Sequence, residues 1–224
     1  MGHVVVVGAD RGIAAALVRE YLSRGQAVTA VCFGDGADWV EEDVRVVADI
    51  DVTDDAAVAR LADQLAGQPI DVLLHVAGVG ATERWRDFNF ATMLAHYDLN
   101  ALGPLRVVSA LADNLTEGSK VGIVTSRMGS IGDNGSGRMY SYRMSKAAAN
   151  MLGVNLYHQL RPLGVQVMLL HPGTVATEMT RGARGWDSYT QPAEAAAGLA
   201  RQMDGLGPDT PPEFRHQDGT LLPW

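Results

Sequence analysis

Short, continuously apolar runs alternate along the chain with longer alanine-rich segments of helical pattern. Six runs predict strands, at residues 4–7, 27–33, 44–48, 70–76, 121–125 and 165–170. Helical patterns lie between and after them, at about 11–24, 54–66, 87–115, 141–161 and 192–203. Strands that are apolar on both faces are typical of a parallel sheet covered by helices on both sides. The alternation therefore predicts an α/β chain with a doubly wound Rossmann fold and a central parallel sheet of about seven strands.

The length and continuity of the pattern favour one domain. A chain of 224 residues is long enough for one well-buried core and short for two. No linker, internal repeat or low-complexity tract interrupts the sequence, so residues 1–224 are expected to form a single dinucleotide-binding domain. The Pro- and Gly-rich tail, residues 205–224, is expected to pack over the sheet edge.

Composition excludes several classes of function. The net charge of −8 provides no basic cluster for nucleic acid. No apolar run reaches the roughly 18–20 residues that a membrane span needs, and no signal peptide precedes the first strand. Cys32 is the only cysteine, and the six histidines lack the spacing of metal ligands. We therefore expect a cytoplasmic protein with no bound metal and no nucleic-acid or membrane partner.

The turn after the first predicted strand is rich in glycine. Its sequence is Gly8-Ala9-Asp10-Arg11-Gly12-Ile13-Ala14, and a helical pattern follows. Gly8 permits a sharp turn, Gly12 lets the backbone approach a pyrophosphate, and the helix N-terminus offers unpaired N–H groups to an anion. An ordinary βα turn also uses glycines, so the turn alone is a weak signal. Its position in a doubly wound fold favours dinucleotide binding.

Tyr142 and Lys146 lie one helical turn apart and share a helix face. A free phenol has a pKa near 10 and transfers protons poorly at neutral pH, whereas an adjacent ammonium favours the phenolate. The pair is therefore a candidate acid/base for a carbonyl or an alcohol. Taken alone, this spacing also occurs in ordinary surface helix pairs.

Several motifs together resemble the short-chain dehydrogenase/reductase family. They are Gly8-x-x-x-Gly12-Ile13, Asp51-Val52-Thr53, Asn100, Ser126, Tyr142-x-x-x-Lys146, and Pro172-Gly173 with Thr177, all in the family's order and spacing. The resemblance covers essentially the whole chain and is greatest to the small carbonyl-reductase-like branch.

The resemblance implies a catalytic role for four residues. Ser126 would hold the substrate oxygen, and Tyr142 would be the general acid/base. Lys146 would bridge the ribose hydroxyls and tune Tyr142. Pro104 has no N–H, so the carbonyl of Asn100 loses its helical partner and could hold the water of the family's proton relay. A plain proline kink and a strand-ending serine are the structural alternatives.

The resemblance also implies a cofactor site. Its residues are Gly8, Asp10, Arg11, Gly12, Ile13, Phe33, Asp51, Val52, Ala77, Gly78, Tyr142, Lys146, Pro172, Gly173, Val175 and Thr177. Thr177 matches the contact to the nicotinamide carboxamide, and Asp51 matches the contact to the adenine edge. Asp51 would alternatively only cap a helix, as Thr53 or Asp54 would.

The chain departs from the family pattern at several positions. Val7 replaces a threonine, Ala14 replaces the third glycine, and His75-Val76 replaces two asparagines. His75 is expected to be a polar brace in the sheet and not a catalytic group. Cys32 and Phe33 stand where NAD-preferring members carry Asp and many NADP-preferring members carry Arg. Because Arg11 remains able to reach a 2′-phosphate, the sequence favours NADPH slightly, with NAD as the alternative.

These features predict an NAD(P)-dependent oxidoreductase that interconverts a carbonyl and an alcohol. The alternatives are a non-redox catalyst, such as a cyclase or dehydratase, and a non-catalytic nucleotide-binding regulatory protein on the same fold. The loops at the carboxyl edge are rich in aromatic residues, including Trp85, Tyr140, Trp186 and Tyr189. They favour an apolar or aromatic substrate, with lid packing or subunit contact as the alternatives. A homodimer or homotetramer is expected through the helices at 87–115 and 141–161.

Overall fold

One parallel sheet forms the centre of the protein. The computed structural model describes residues 2–36, 39, 42–80 and 82–224. The strands are β1 (His3–Val7), β2 (Ala27–Val31), β3 (Arg45–Val47), β4 (Ile70–His75), β5 (Leu115–Val124), β6 (Gln166–His171) and β7 (Phe214–His216). Their order is β3-β2-β1-β4-β5-β6-β7, with every neighbouring pair parallel. This order confirms the predicted fold, and its reversal between β1 and β4 opens a crevice at their carboxyl ends.

Helices cover both faces of the sheet. They are α1 (Gly12–Ser23), α2 (Asp55–Leu65), α3 (Phe90–Tyr97), α4 (Gly103–Ala110), α5 (Tyr140–Leu160) and α6 (Pro192–Asp204). Alternate strand residues point to opposite faces. Val4 and Val6 pack against α1 and α6, whereas Val5 and Val7 pack on the face covered by α2, α4 and α5. In the described part of the chain, no helix has the length and apolar character that a membrane span needs.

The predicted helix at 87–115 is wrong in its continuity and in its end. The chain forms α3, then a π-helical turn at Asp98–Leu102, then α4, and Leu115 already belongs to β5. Pro104 is the physical reason for the break, because it offers no N–H to the carbonyl four residues earlier. The N–H of Gly103 bonds instead to the carbonyl of Asp98, five residues back. Such π-turns inside helices are frequent at functional sites.

Two strand predictions and the prediction for the tail also need correction. β5 begins at Leu115 and not at 121. The prediction missed its first half because that half is polar, and it carries a register shift against β4. β2 ends at Val31 and not at 33, where the chain turns towards the side chain of Asp10. The tail does more than pack over the edge, since Phe214–His216 adds β7 to it. Three residues are too few to show a strand pattern in a sequence rich in Pro and Gly.

Candidate active site

The turns after β1, β4 and β6 meet at the carboxyl edge of the sheet. Gly8 has a φ of +86°, and a β-carbon there would lie 2.8 Å from the nitrogen of Ala77. A β-carbon on Gly12 would lie 3.4 Å from the methyl group of Thr177. Only glycine fits this conformation and approach at position 8. The structure thus brings together four of the predicted cofactor residues from three separate turns.

The N-terminus of α1 is open to an anion. Helix α1 has no side-chain cap at Arg11 and no acidic residue in its first turn. By contrast, Asp54 caps α2 and Asn89 caps α3. Uncapped N–H groups and the positive end of the helix dipole attract phosphate groups. The residues present therefore fit the pyrophosphate of a dinucleotide.

Asp51 and Val52 lie beside this turn, after β3. The Oδ1 atom of Asp51 accepts hydrogen bonds from the backbone N–H and the hydroxyl of Thr53, at 2.8 and 2.7 Å. Asp54, and neither Asp51 nor Thr53, caps α2. Val52 is buried against Gly103, where a β-carbon would lie 2.9 Å from its Cγ2 atom. An adenine contact for Asp51 stays a prediction.

The end of β2 presents an aromatic ring and no acidic side chain of its own. Cys32 is fully buried, whereas the side chain of Phe33 is 67% exposed. The carboxylate of Asp10 accepts hydrogen bonds from the backbone N–H groups of Phe33 and Gly34, at 3.0 and 2.8 Å. Arg11 is exposed, and its side chain has no hydrogen-bond or ion-pair partner among the described residues.

Tyr142 and Lys146 lie in the first two turns of α5. The Nζ atom of Lys146 is 5.9 Å from the centre of the Tyr142 ring. It donates a hydrogen bond to the carbonyl of Val124, at 3.0 Å, and has no second acceptor among the described residues. Burial lowers the pKa of Lys146 to about 8. Since an ammonium has three donors, two remain for other groups.

Ser126 follows β5 and lies close to Tyr142. Burial raises the pKa of Tyr142, and the nearby Ser126 hydroxyl opposes that rise. The Oγ atom of Ser126 also accepts a bond from the N–H of Met128, at 3.2 Å. Burial disfavours the charged phenolate of Tyr142, whereas a nearby hydroxyl donor stabilises it.

Asn100 is buried in the π-helical turn and joins two elements. Its Nδ2 atom donates to the carbonyl of Val79 and to the hydroxyl of Ser145, at 2.8 and 2.9 Å. Its Oδ1 atom accepts from the N–H of Val79, at 2.9 Å. A β-carbon on Gly78 would lie 3.0 Å from Asn100 Oδ1 and 3.3 Å from Lys146 Nζ. The side chain of Asn100 thus joins the turn after β4 to α5, whereas a water held by its carbonyl stays a prediction.

Two neighbours of Ser126, Gly129 and Thr125, were not predicted from the sequence to belong to the site. A β-carbon on Gly129 would lie 2.6 Å from the carbonyl carbon of Lys146. The hydroxyl of Thr125 donates to the carbonyl oxygen of Lys146, at 3.3 Å. The turn that carries Ser126 therefore packs directly on the backbone of α5, which holds Ser126 close to Tyr142. A glycine three residues after the serine was the available signal.

Glu83 stabilises the start of α5 and was also missed. Met139, before the helix, has a φ of +48° and provides no cap. Glu83 Oε1 accepts a bond from the N–H of Ser141, at 3.2 Å, and another from its hydroxyl. Burial raises the pKa of Glu83, but the hydrogen bonds from Ser141 outweigh it and leave the pKa below its usual value. No sequence motif reports such a cap, because 58 residues separate its two partners.

Glu83→Ala is expected to lower the free energy of unfolding by about 1–2 kcal/mol at pH 7, the usual effect of removing a helix cap. Because the pKa of Glu83 is lowered by folding, its contribution is present above pH 4.5 and is lost as the pH falls below that value. Urea denaturation at pH 7 and at pH 3.5 measures both effects. Glu178→Ala, which removes an exposed ion pair with Arg181, is the control and should change the free energy by less than about 0.5 kcal/mol. An equal loss in the two variants would contradict the capping role.

His75 is buried beside this site but does not form the expected brace. Burial and the nearby Lys146 ammonium lower the pKa of His75 to about 3, so the ring is neutral. Its Nε2 atom is buried and has no hydrogen-bond partner in the described part of the chain. Within those same residues, no group of three or more His, Cys, Asp or Glu side chains is arranged to hold a metal ion.

Comparison with known proteins agrees with this geometry. The short chain dehydrogenase family matches residues 2–188, and the chain belongs to that family. Over the full length of both chains it is 48% identical to the 1-hydroxy-2-glutathionyl-2-methyl-3-butene dehydrogenase of a Rhodococcus species. It is 44% identical to the C-signal protein of Myxococcus xanthus, over 70% of this chain and 93% of that one. A carbonyl reductase from Pseudomonas aeruginosa in complex with NADP has a TM-score of 0.87 and 29% identity, with both chains fully covered. The chain is an NAD(P)-dependent oxidoreductase of this family.

Proposed function

We propose that Ser126, Tyr142, Lys146 and Asn100 act as one proton-handling unit in the interconversion of an alcohol and a carbonyl. The observation that carries this proposal is the packing of the turn that bears Ser126 on the backbone of α5, which brings Ser126 close to Tyr142. It lies where the turns that fit a dinucleotide meet the start of α5. A bound nicotinamide supplies the hydride acceptor or donor for such a reaction.

Tyr142 is the residue that exchanges a proton with the substrate. In the oxidation of an alcohol, its phenolate oxygen takes the hydroxyl proton as the carbon loses its hydride. In the reduction of a carbonyl, the phenol returns that proton to the carbonyl oxygen. The hydroxyl of Ser126 holds the same oxygen atom and stabilises the charge that develops on it.

Lys146 and Asn100 support the proton transfer. The buried ammonium of Lys146 favours the phenolate form of Tyr142, and its two remaining donors are available to ribose hydroxyls. Asn100 holds the turn after β4 against Ser145, one residue before Lys146. Its carbonyl, which Pro104 deprives of a donor, would hold a water molecule for the relay.

The predicted cofactor residues belong to the same proposal. Gly8, Gly12 and Ile13 would hold the pyrophosphate at the N-terminus of α1. The adenosine would lie between Phe33 and Asp51. Pro172, Gly173, Val175 and Thr177 would meet the nicotinamide, together with Ala77 and Gly78. This assignment of residues to the parts of the dinucleotide is supported by the close approach of Gly8 to Ala77 and of Gly12 to Thr177.

The substrate that we propose is based on the name of the 48% identical relative. We propose that the chain oxidises a small branched alcohol that carries a bulky thioether group such as glutathionyl. Gly80 lies between the ring of Tyr142 and Met179, where its β-carbon would be 3.5 and 3.6 Å from the nearest atoms. These apolar contacts suit the hydrocarbon part. The exposed Arg138 and Arg184, in loops at the same edge, offer charge for the carboxylates of a tripeptide.

The test is a substrate panel assayed with NAD and NADP in both directions, following the absorbance of the reduced nicotinamide. The panel compares an alcohol bearing a glutathionyl group, the same alcohol without it, and aromatic ketones. We expect turnover, with kcat/KM for the conjugate at least about tenfold above that for the bare alcohol. Faster reduction of aromatic ketones would contradict the thioether alcohol as the substrate and would favour an apolar or aromatic one. Binding of the dinucleotides without any turnover would contradict the catalytic proposal.

An exposed apolar stripe supports a homodimer or homotetramer. It comprises side chains of α3, α4 and α5 that are 40–70% exposed, namely Phe90, Leu94, Tyr97, Leu105, Met144 and Met151. Within α3 and α5, their spacing of three, four and seven residues places them along helix faces. Exposed apolar patches of this kind on a folded protein mark interaction surfaces.

Replacing both Leu94 and Met151 by glutamate is therefore expected to lower the molar mass measured by light scattering, from that of an oligomer towards one chain. Two charges at a buried apolar contact would be desolvated without partners. Leu163→Glu is the control, because Leu163 is 61% exposed outside the stripe and its variant should keep the wild-type mass. A wild-type protein that is monomeric in solution would contradict an interface at this stripe.

Two broader expectations belong to the same proposal. One domain over residues 1–224 is supported by the single sheet, which takes its strands from His3 to His216. A cytoplasmic location is supported by the cysteine content, since Cys32 alone allows no intrachain disulfide.

A further inference from the structure

The carboxylate of Asp10 occupies the end of β2, although Asp10 belongs to the turn after β1. Its two oxygens accept hydrogen bonds from the N–H groups of Phe33 and Gly34, at 3.0 and 2.8 Å. A β-carbon on Gly34 would lie 3.3 Å from Asp10 Oδ1, which shows how close the two turns are. Two backbone donors from the turn after a different strand thus fix the orientation of this side chain.

In a doubly wound fold, the end of the second strand meets the adenosine ribose of a dinucleotide. An acidic residue there accepts a hydrogen bond from the 2′-hydroxyl, whereas a nearby arginine accommodates a 2′-phosphate. This chain has Cys32 buried in the core at that place and Phe33 exposed beside it. Neither position carries a carboxylate, whereas that of Asp10, from the first turn, lies against the backbone of Phe33 and Gly34.

We propose that Asp10 selects NAD(H) over NADP(H), an inference that rests on the proposed oxidoreductase function. Each carboxylate oxygen has a further lone pair with which to accept the 2′-hydroxyl. A 2′-phosphate at the same place would meet a fixed negative charge. It would also find the N–H groups of Phe33 and Gly34, the local backbone donors for an anion, already bonded to Asp10.

The cations of this region do not cancel the charge of Asp10. Arg19 lies over the Trp39 ring, 4.8 Å from its centre, and its guanidinium is 2.9 Å from Glu42. Arg11 is exposed, and ordering its long side chain around a phosphate would cost conformational entropy. Asp10 is already held by two hydrogen bonds. The preorganised carboxylate therefore outweighs the arginine on which the sequence preference for NADPH rested.

The test is titration of the purified protein with NADH and NADPH, following cofactor fluorescence and, independently, calorimetry. We expect wild type to bind NADPH at least about tenfold more weakly than NADH, a difference of about 1.4 kcal/mol. Asp10→Ser removes the charge and frees the two N–H groups, so NADPH affinity should rise at least about tenfold relative to NADH. Asp10→Asn, which keeps the shape without the charge, should shift the ratio in the same direction.

Asp113→Ser is the charge-matched control, because Asp113 is exposed at the amino end of β5 and its variant should keep the wild-type ratio. Thermal unfolding of each variant verifies that it is folded. Equal or tighter NADPH binding by wild type would overturn this inference but not the proposed function. The same holds for an Asp10→Ser variant that binds both cofactors more weakly by the same factor. A wild type that binds neither would overturn the proposed function as well. Selective NADH binding with full activity in Tyr142→Phe would overturn the catalytic proposal and leave the role of Asp10 intact.

Discussion

Tyr142→Phe is expected to lower kcat by about 10²- to 10⁴-fold, the usual contribution of a general acid/base. The variant removes only the phenolic oxygen, which is the proposed proton donor and acceptor and whose pKa the nearby Ser126 lowers. The ring, and its contact with Gly80, are retained. Cofactor affinity, measured by nucleotide fluorescence, should change by less than about threefold, because the loss lies in the transition state and not in binding.

Tyr140→Phe provides a matched control for this variant. Tyr140 lies one helical turn before Arg143 and packs on Phe88 and Trp85, at ring-centre distances of 5.1 and 6.1 Å. Its phenylalanine variant keeps those ring contacts, so kcat should remain within about twofold of wild type. Steady-state kinetics on both variants makes the comparison. Comparable losses in the two would assign the effect to the start of α5 and contradict the role of Tyr142.

Lys146→Met is expected to remove activity and to raise the stability of the cofactor-free protein. The ammonium is buried, and folding lowers its pKa from 10.5 to about 8. At 1.36 kcal/mol per pKa unit, keeping it charged at pH 7 costs on the order of 3 kcal/mol. Methionine fills a similar volume without that cost. Activity should fall at least about 10²-fold, since the phenolate of Tyr142 loses its neighbouring cation.

The pH dependence of stability separates this explanation from a packing effect. Because folding lowers the pKa of Lys146, the unfolded chain binds more protons between pH 8 and 10.5, and wild-type stability should rise across that range. The Lys146→Met variant should lack this part of the rise. Urea denaturation at pH 7, 8.5 and 10 measures it. A variant less stable than wild type at pH 7 would contradict the cost of the buried charge.

Lys120→Met is the control, because Lys120 is the only other lysine in the chain. Its Nζ atom donates to the carbonyls of Met203 and Asp204, away from Tyr142. Its loss should leave kcat within about twofold of wild type. Reduced activity in both variants would indicate a general effect of lysine loss and contradict a specific role for Lys146.

Local sequence patterns predicted those parts of the protein in which one segment carries the information. The apolar strands and the turn from Gly8 to Ile13 are of this kind, and, apart from the start of β5, the structure has them within two residues of the predicted bounds. The face shared by Tyr142 and Lys146 follows from helical periodicity alone. The hydrogen bond that Pro104 removes was also predicted from the sequence, because proline has no N–H, but the resulting break in the helix was not.

The remaining features depend on contacts between distant segments. Glu83 caps a helix that begins 57 residues later in the chain, and Gly129 matters only because it touches Lys146 across the fold. Asp10 was assigned to the cofactor site by resemblance, but its bonds to Phe33 and Gly34 could not be read from the sequence. The polar first half of β5 gave no strand pattern because its neighbours, and not its own residues, place it in the sheet.

The central claim is that Ser126 and Tyr142 act as one unit, and a double-mutant cycle tests it directly. Ser126→Ala alone should lower kcat by about 10²- to 10³-fold. Because groups that act together lose activity non-additively, the Ser126→Ala/Tyr142→Phe double variant should be no more than about threefold slower than Tyr142→Phe. A double variant whose loss equals the product of the two single losses would show that the residues act independently and would contradict the claim.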